Sequence, residues 1–132
     1  MKTDEQNHLR QSGEDYLKTI LILHRKKEYV RSADVAKYLN VTRPSVSNAI
    51  RLLQEGGYLR MDENKMLYLT QAGRDAAERV CERHRILKNA LVSIGVDPEI
   101  ADQDACRIEH VISRESFAKV KELLEKRTRE QA

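Results

Sequence analysis

Thr42-Arg43-Pro44-Ser45-Val46-Ser47-Asn48-Ala49-Ile50-Arg51-Leu52-Leu53-Gln54-Glu55-Gly56-Gly57 reads as one helix with both ends marked. Thr42 is a good N-cap residue, Pro44 is tolerated in a first turn, and the glycine pair ends the segment. Between the ends, Val46, Ala49, Ile50 and Leu53 recur at helical spacing and form a core stripe. Pro44, Ser47, Asn48 and Arg51 project from the opposite side, with Thr42, Arg43 and Ser45 at its N-terminal end.

The flanking segments give this helix its setting. A first helix is expected from Glu14 to Lys26, with Leu17, Ile20, Leu21 and His24 on its inner face. Ser32 is expected to cap a short second helix, Ala33 to Leu39, that buries Val35, Ala36 and Leu39. After the glycines, Tyr58, Leu59 and Met61 precede the charged turn Asp62-Glu63-Asn64-Lys65, and Met66, Leu67, Tyr68 and Leu69 follow it. Two short apolar runs around such a turn predict a β-hairpin.

Helix, helix, short turn, helix, hairpin is the order of a winged helix-turn-helix. There the third helix enters the DNA major groove while the hairpin flanks the phosphates. The competing reading is any small helical domain carrying a hairpin. The small polar outward face of the third helix favours DNA, because Ser, Thr and Asn donate to phosphate oxygens, Asn reads adenine, and Arg51 can reach a guanine or a phosphate.

Beyond the hairpin, Thr70 is expected to cap a long helix, Gln71 to about Ser93, with Ala76, Ala77, Val80, Leu87, Leu91 and Ile94 inward. Gly95 stops it. Asp97-Pro98-Glu99 opens a fifth helix carrying Ile100, Ala105, Ile108, Val111 and Ile112. Ser113 caps a sixth with Phe117, Val120, Leu123 and Leu124 apolar. Three helices suit a dimerisation layer. The expected architecture is therefore mainly α: a winged helix-turn-helix over residues 1–71, then an all-α dimerisation domain over 72–132. A homodimer would match a palindromic double-stranded operator whose half-sites lie roughly 34 Å apart.

Composition agrees with a globular chain. Hydrophobic residues make up 40% and charged residues 34% of 132 residues, a mixture that excludes disordered and membrane classes. The run Ile20 to Leu23 is too short to span a bilayer. Asp4, Glu5, Gln6 and Asn7 make the N-terminus polar and acidic, so no signal peptide is expected. Cys81 and Cys106 are far apart and give no disulfide framework, which favours a reducing cytoplasm. Residues 1–71 hold twelve Lys or Arg against nine Asp or Glu, whereas residues 72–132 hold twelve of each. The surplus positive charge sits where a polyanion would dock.

One further cluster stands out. In Cys106-Arg107-Ile108-Glu109-His110, a helical conformation would place Cys106, Glu109 and His110 on one face. A thiolate, a carboxylate and an imidazole together are half of a transition-metal site. Each residue also has an ordinary reading: buried small cysteine, solvated acid, surface imidazole. His84 on the long helix and Asp15, favoured near a helix N-terminus by the dipole, are equally open to ordinary explanations.

Glu14-Asp15-Tyr16-Leu17, Arg83-His84-Arg85 and Asp104-Ala105-Cys106-Arg107-Ile108-Glu109-His110-Val111, in that order, resemble three signatures of the diphtheria-toxin-repressor family, which includes iron- and manganese-dependent repressors. The resemblance runs from Ser12 to about Leu124, and the chain ends where iron-type members continue into an SH3-like domain. It implies a short, two-domain, metal-dependent regulator of metal-ion homeostasis genes. It also implies a principal metal site of Asp15, Cys106, Glu109 and His110, with His84 matching a histidine of an adjacent second site. Asp15 is similar to the manganese type and Cys106 to the iron type. Lys18 and Lys88 stand where family members place carboxylates, and Asp102 where the iron type has histidine.

The ion expected is Fe(II) or Mn(II), with Zn(II), Co(II) or Ni(II) binding in vitro, since Asp15 and Glu109 are hard donors while His110 and a Cys106 thiolate are softer. Cys106 ligates through its thiolate or its backbone carbonyl. A cation joining Asp15 of the DNA-binding half to the later ligands would set the spacing of two recognition helices. Three rivals stand beside this reading: a pure protein-interaction module, which would leave the Pro44–Arg51 face unexplained, a winged-helix regulator that senses no metal, and a small metalloenzyme. The last requires an open coordination position and a general base, and the chain has no H-E-x-x-H or nucleophile-and-base set. No membrane or small-molecule substrate is expected as a partner.

Overall fold

Apolar residues at helical spacing govern the first helix, α1 (Gln11–Lys26), which buries Tyr16, Leu17, Ile20, Leu21 and Leu23 along one side. The computed structural model describes residues 11–131, and the acidic stretch Asp4 to Asn7 lies outside them. Helix α1 begins three residues before the expected Glu14, running through Gly13. A glycine costs a helix only about 1 kcal/mol, less than burying a single leucine side chain returns.

Helix α2 (Ser32–Leu39) starts one residue earlier than its expected cap allows. Arg31, not Ser32, is the N-cap, because Asp34 reaches back and accepts the Arg31 N–H at 2.8 Å. The other Asp34 oxygen accepts from Lys27 Nζ at 2.9 Å. These two donors, the Lys27 hydrogen bond foremost, hold the Asp34 carboxyl below its ordinary pKa. Asn40, in the left-handed region at φ 55°, ends α2 and turns the chain into Thr42.

Helix α3 (Arg43–Glu55) has the expected cap: Thr42 Oγ1 accepts the Ser45 N–H at 3.3 Å. Val46, Ile50 and Leu53 are buried and Ala49 half-buried. Gly57 at φ +82° provides the left-handed step after α3 that a side chain would resist. Strands β1 (Leu59–Met61) and β2 (Leu67–Leu69) then pair antiparallel, Leu59 opposite Leu69 and Met61 opposite Leu67. In the wing turn, Asp62 Oδ1 accepts the N–H groups of Asn64 and Met66, both at 2.9 Å.

These elements form the core of one compact unit, which ends at Glu78. In it α1 packs on α2, α3 and β2, and α3 packs on α2 and β1. Val30, in the loop between α1 and α2, is fully buried, and its carbonyl accepts the Leu67 N–H at 2.8 Å. His24 Nε2 lies 2.8 Å from the Leu67 carbonyl oxygen, and its ring stacks on Tyr68.

Thr70 caps α4 (Gln71–Ser93) by accepting the Gly73 N–H at 3.1 Å, and its hydroxyl donates to the Gly57 carbonyl at 2.6 Å. The second unit begins at Arg79, within α4. It continues with α5 (Pro98–Ile108) and α6 (Arg114–Gln131). Asp97 caps α5 by accepting from Glu99 and Ile100, and Ser113 caps α6 by accepting the Ser116 N–H at 3.0 Å. Ile86, Leu87, Ala105 and Phe117 make the core of this unit, with Ile108, Ile112, Val120 and Leu124 packed against it.

The architecture is mainly α with a two-stranded wing, as expected. Ile94, expected inward, is instead exposed, as are the apolar residues Ile100, Val111 and Leu123. Val111, read as part of the fifth helix, lies past the end of α5, in a turn. Ile94 and Leu123 line an apolar groove with Leu87, Leu91, Ile108, Val120 and Leu124.

Candidate metal centre and nucleic-acid interface

The outward face of α3 is built as its sequence requires. Thr42, Arg43, Pro44, Ser45, Ser47, Asn48 and Arg51 are all exposed. The Thr42 cap opens α3 with small hydroxyl residues at the helix N-terminus, where N–H groups and the dipole favour a phosphate. Arg51 is held in place: Nη1 donates to Glu55 Oε2 at 2.8 Å and Nη2 donates to Asn48 Oδ1 at 2.8 Å. Sequence reasoning passed over Leu52, half exposed on the same helix, and Arg60, which stacks over Tyr68 on the wing at 5.7 Å. Arg60 alternates with the buried Leu59 along β1, and that alternation is the signal that would have marked it. Tyr68 donates its hydroxyl to Asp62 Oδ2; burial, then the Asp62 carboxylate, pushes the phenol's pKa up.

In the second unit the five residues Cys106 to His110 are not one continuous helix. Helix α5 ends at Ile108; Glu109 is its C-cap, still bonded through its N–H to the Ala105 carbonyl at 2.9 Å, and His110 lies in the following turn. Arg83 fastens this turn from α4. Its Nη1 donates to the carbonyls of Glu109 at 3.3 Å and Ile112 at 3.2 Å, while its guanidinium covers the Phe117 ring. The anchoring by Arg83 was not legible in the sequence, since its partners lie 26 and 29 residues away.

The turn points the Glu109 side chain inward, where it has no exposed surface. Burying a carboxylate is costly unless cationic or hydrogen-bonding partners compensate it. Two imidazoles do so here: His84 Nδ1 lies 2.9 Å from Oε2 and His110 Nε2 lies 3.3 Å from Oε1. The His110 side chain is itself 1% exposed. Cys106 is exposed on α5, yet its sulfur, a His84 nitrogen and a Glu109 oxygen all lie within 4.8 Å of one another.

The structure therefore brings together His84, Cys106 and Glu109, with His110 on the other oxygen of the same carboxylate. Asp15, half-buried in the early part of α1, belongs to the other unit. Carboxylate oxygen, imidazole nitrogens and thiol sulfur form a donor set that suits first-row divalent metals. A carboxylate already shielded from water and faced by neutral-capable nitrogens fits such a cation. At the rim, Asp102 Oδ1 lies 2.8 Å from His84 Nε2 and 3.5 Å from Lys88 Nζ. The His84 hydrogen bond is the largest influence holding the Asp102 pKa below its ordinary value.

Comparison with known proteins gives two family matches. Residues 8–67 match the iron dependent repressor N-terminal DNA binding domain, and residues 70–131 match the iron dependent repressor metal binding and dimerisation domain. The transcriptional regulator MntR of Escherichia coli O6:H1 is 36% identical over 110 residues, 83% of this chain and 71% of that protein. The crystal structure of IdeR from T. acidophilum superposes with a TM-score of 0.71 at 33% identity, covering 85% of this chain and 53% of that one. A manganese-dependent transcriptional repressor in complex with manganese gives 0.77 at 30% identity, covering 86% and 52%. The chain spans about half the length of these two solved proteins.

Proposed function

Because this chain belongs to the iron-dependent repressor family, we propose that it is a metal-dependent transcription regulator that represses metal-ion homeostasis genes from a palindromic operator, acting as a cytoplasmic homodimer. It is a DNA-binding regulator, not an enzyme. The observation that carries the reading is the buried Glu109 carboxylate between His84 and His110, with the Cys106 sulfur in reach. The ligands we assign are His84, Cys106, Glu109 and His110. Asp15 is assigned as the ligand from the DNA-binding unit on the resemblance of Glu14-Asp15-Tyr16-Leu17 to the family's first signature. The physiological ion is Fe(II) or Mn(II); the manganese complex of a relative at 30% identity supports the second.

Bound there, a divalent cation would supply the positive charge that balances the carboxylates. The residues do the rest. Arg83 holds the turn that aims Glu109, and Glu109 in turn orients the His84 imidazole through Nδ1. In the other unit, Thr42 starts α3 so that Ser45, Ser47 and Asn48 face phosphates and base edges, while Arg51 reaches furthest from the helix. Fixing the ligand halves narrows the range of recognition-helix spacings, and DNA affinity rises with the fraction of dimers whose spacing matches the operator.

Fluorescence anisotropy on a DNA library, with Fe(II), Mn(II), Zn(II) or a chelator at two salt concentrations, tests this. A coupling typical of allosteric systems raises affinity roughly 5- to 150-fold when metal is present, and the salt slope reports phosphate contacts. Equal affinity in chelator and in every metal would favour a regulator that senses none.

A further inference from the structure

The ring of His84 is held from both sides, and only one side belongs to the ligand cluster. Nδ1 faces Glu109 Oε2 at 2.9 Å, toward the Cys106 sulfur; Nε2 faces Asp102 Oδ1 at 2.8 Å, at the rim. Asp102 sits on α5 one turn before Cys106, and His84 on α4, so the contact spans two helices of the same unit. Its side chain is 52% exposed, and no group in the cluster of candidate ligands includes it.

We propose that Asp102 is a positioning residue for the metal centre: it holds the His84 Nε2–H and thereby presents Nδ1 to the cation. This inference rests on the metal-dependent function proposed above. The chemistry follows from the inventory of donors. An ionised carboxylate only accepts, and each ring nitrogen faces one; a cation at Nδ1 would take the place of hydrogen on the Glu109 side, while Nε2 keeps the hydrogen it shares with Asp102. A neutral imidazole has one N–H and one lone pair, and placing the hydrogen on Nε2 leaves the lone pair on Nδ1, the nitrogen that faces Glu109 and Cys106. A carboxylate hydrogen-bonded to a metal-binding histidine fixes its tautomer and ring orientation and raises its basicity.

Lys88 completes the arrangement. Its ammonium lies 3.5 Å from the Asp102 oxygen that His84 contacts, and one turn after His84 on α4. The cation holds Asp102 at the rim, so the carboxylate acts as an orienting group. This gives a local reason for a lysine where a carboxylate would otherwise offer a further ligand.

Zinc(II) is the probe, because it is diamagnetic and redox-inert. Its affinity for the full chain is measured by competition with a chromophoric chelator, and the His84 tautomer by nitrogen-15 NMR, with the signals assigned by their loss in His84→Gln. The wild type is expected to show Nδ1 coordinated and Nε2 protonated. Asp102→Ala is expected to bind about ten- to a hundred-fold more weakly, with far-UV circular dichroism unchanged. Asp102→Asn keeps an acceptor oxygen and is expected to lose less than the alanine variant. Lys88→Ala, which touches neither ring nitrogen but frees Asp102 from its second partner, is expected to weaken binding less than Asp102→Ala.

Coordination through Nε2 in the wild type would overturn the inference. So would an Asp102→Ala affinity within about twofold of wild type, well short of the loss such partners usually cause. Equal losses in the alanine and asparagine variants would reduce Asp102 to a remote charge and overturn it as well. A wild-type chain that bound no zinc, iron(II) or manganese(II) would sink the proposed function itself, an outcome distinct from metal binding that ignores Asp102.

Discussion

The α-carbon of Gly73 packs directly against the carbonyl oxygen of Tyr58, so close that a β-carbon on Gly73 would overlap it. The same carbonyl accepts the Thr70 N–H at 3.1 Å, which fixes the start of α4 beside the end of α3. Neither partner is a flexible side-chain tip, so the overlap has no cheap relief. Gly73→Ala is expected to lower the unfolding free energy by about 1–3 kcal/mol, the usual cost of overpacking, despite alanine's better helix propensity. Urea unfolding of the two chains would decide it; an alanine variant as stable as wild type would mean the backbone gives way easily.

Removing a ligand from either half is expected to uncouple metal from DNA. Asp15→Ala and His110→Ala should each lose most of the roughly 5- to 150-fold metal-dependent gain in operator affinity, while sedimentation still reports the wild-type oligomer. Full activation in both variants would remove these residues from the proposed centre.

Arg51 belongs to the DNA-binding unit. Arg51→Ala is expected to weaken operator binding by about 1–3 kcal/mol if it reads a base, with zinc affinity unaltered. Should the arginine instead contact phosphate, binding falls evenly across sequences and the salt slope flattens by about one unit. A variant that binds DNA like wild type would leave the polar face of α3 without its longest reach.

The depressed Asp34 carboxyl makes the start of α2 sensitive to acid. The folded-state pKa lies below the unfolded value, so its contribution is complete above roughly pH 4 and disappears as pH falls through the folded pKa. Asp34→Asn is expected to be less stable than wild type by about 0.5–1 kcal/mol at pH 7. The two thermal denaturation curves should converge once pH falls below the folded-state pKa of Asp34. A gap that persisted there would point to something other than the carboxylate charge.

Local hydrogen bonds made much of the fold legible. Thr42, Thr70, Asp97 and Ser113 cap helices two or three residues away, so their roles are written within a few letters of sequence. Ser32 misled for the same reason: a better local partner, Asp34, sat two residues on and moved the cap to Arg31. Val30 left no trace in periodicity, because its burial comes from a loop meeting β2, 37 residues later. Helical spacing also marked Ile94, Ile100 and Leu123 as apolar without saying what covers them. For the metal centre, helical spacing grouped Cys106, Glu109 and His110 and the resemblance added Asp15 and His84, while the pairing of His84 with Glu109, and the part played by Asp102, required the meeting of α4 with α5.

Thr70 offers one hydroxyl to two neighbours: it receives the Gly73 N–H and gives its own hydrogen to the Gly57 carbonyl. That one hydroxyl ties the exit from the reading helix to the first turn of the long helix. Their amide protons should exchange with solvent as a single cooperative group, and a valine in this place, matching the shape but lacking the oxygen, would let the two fray separately.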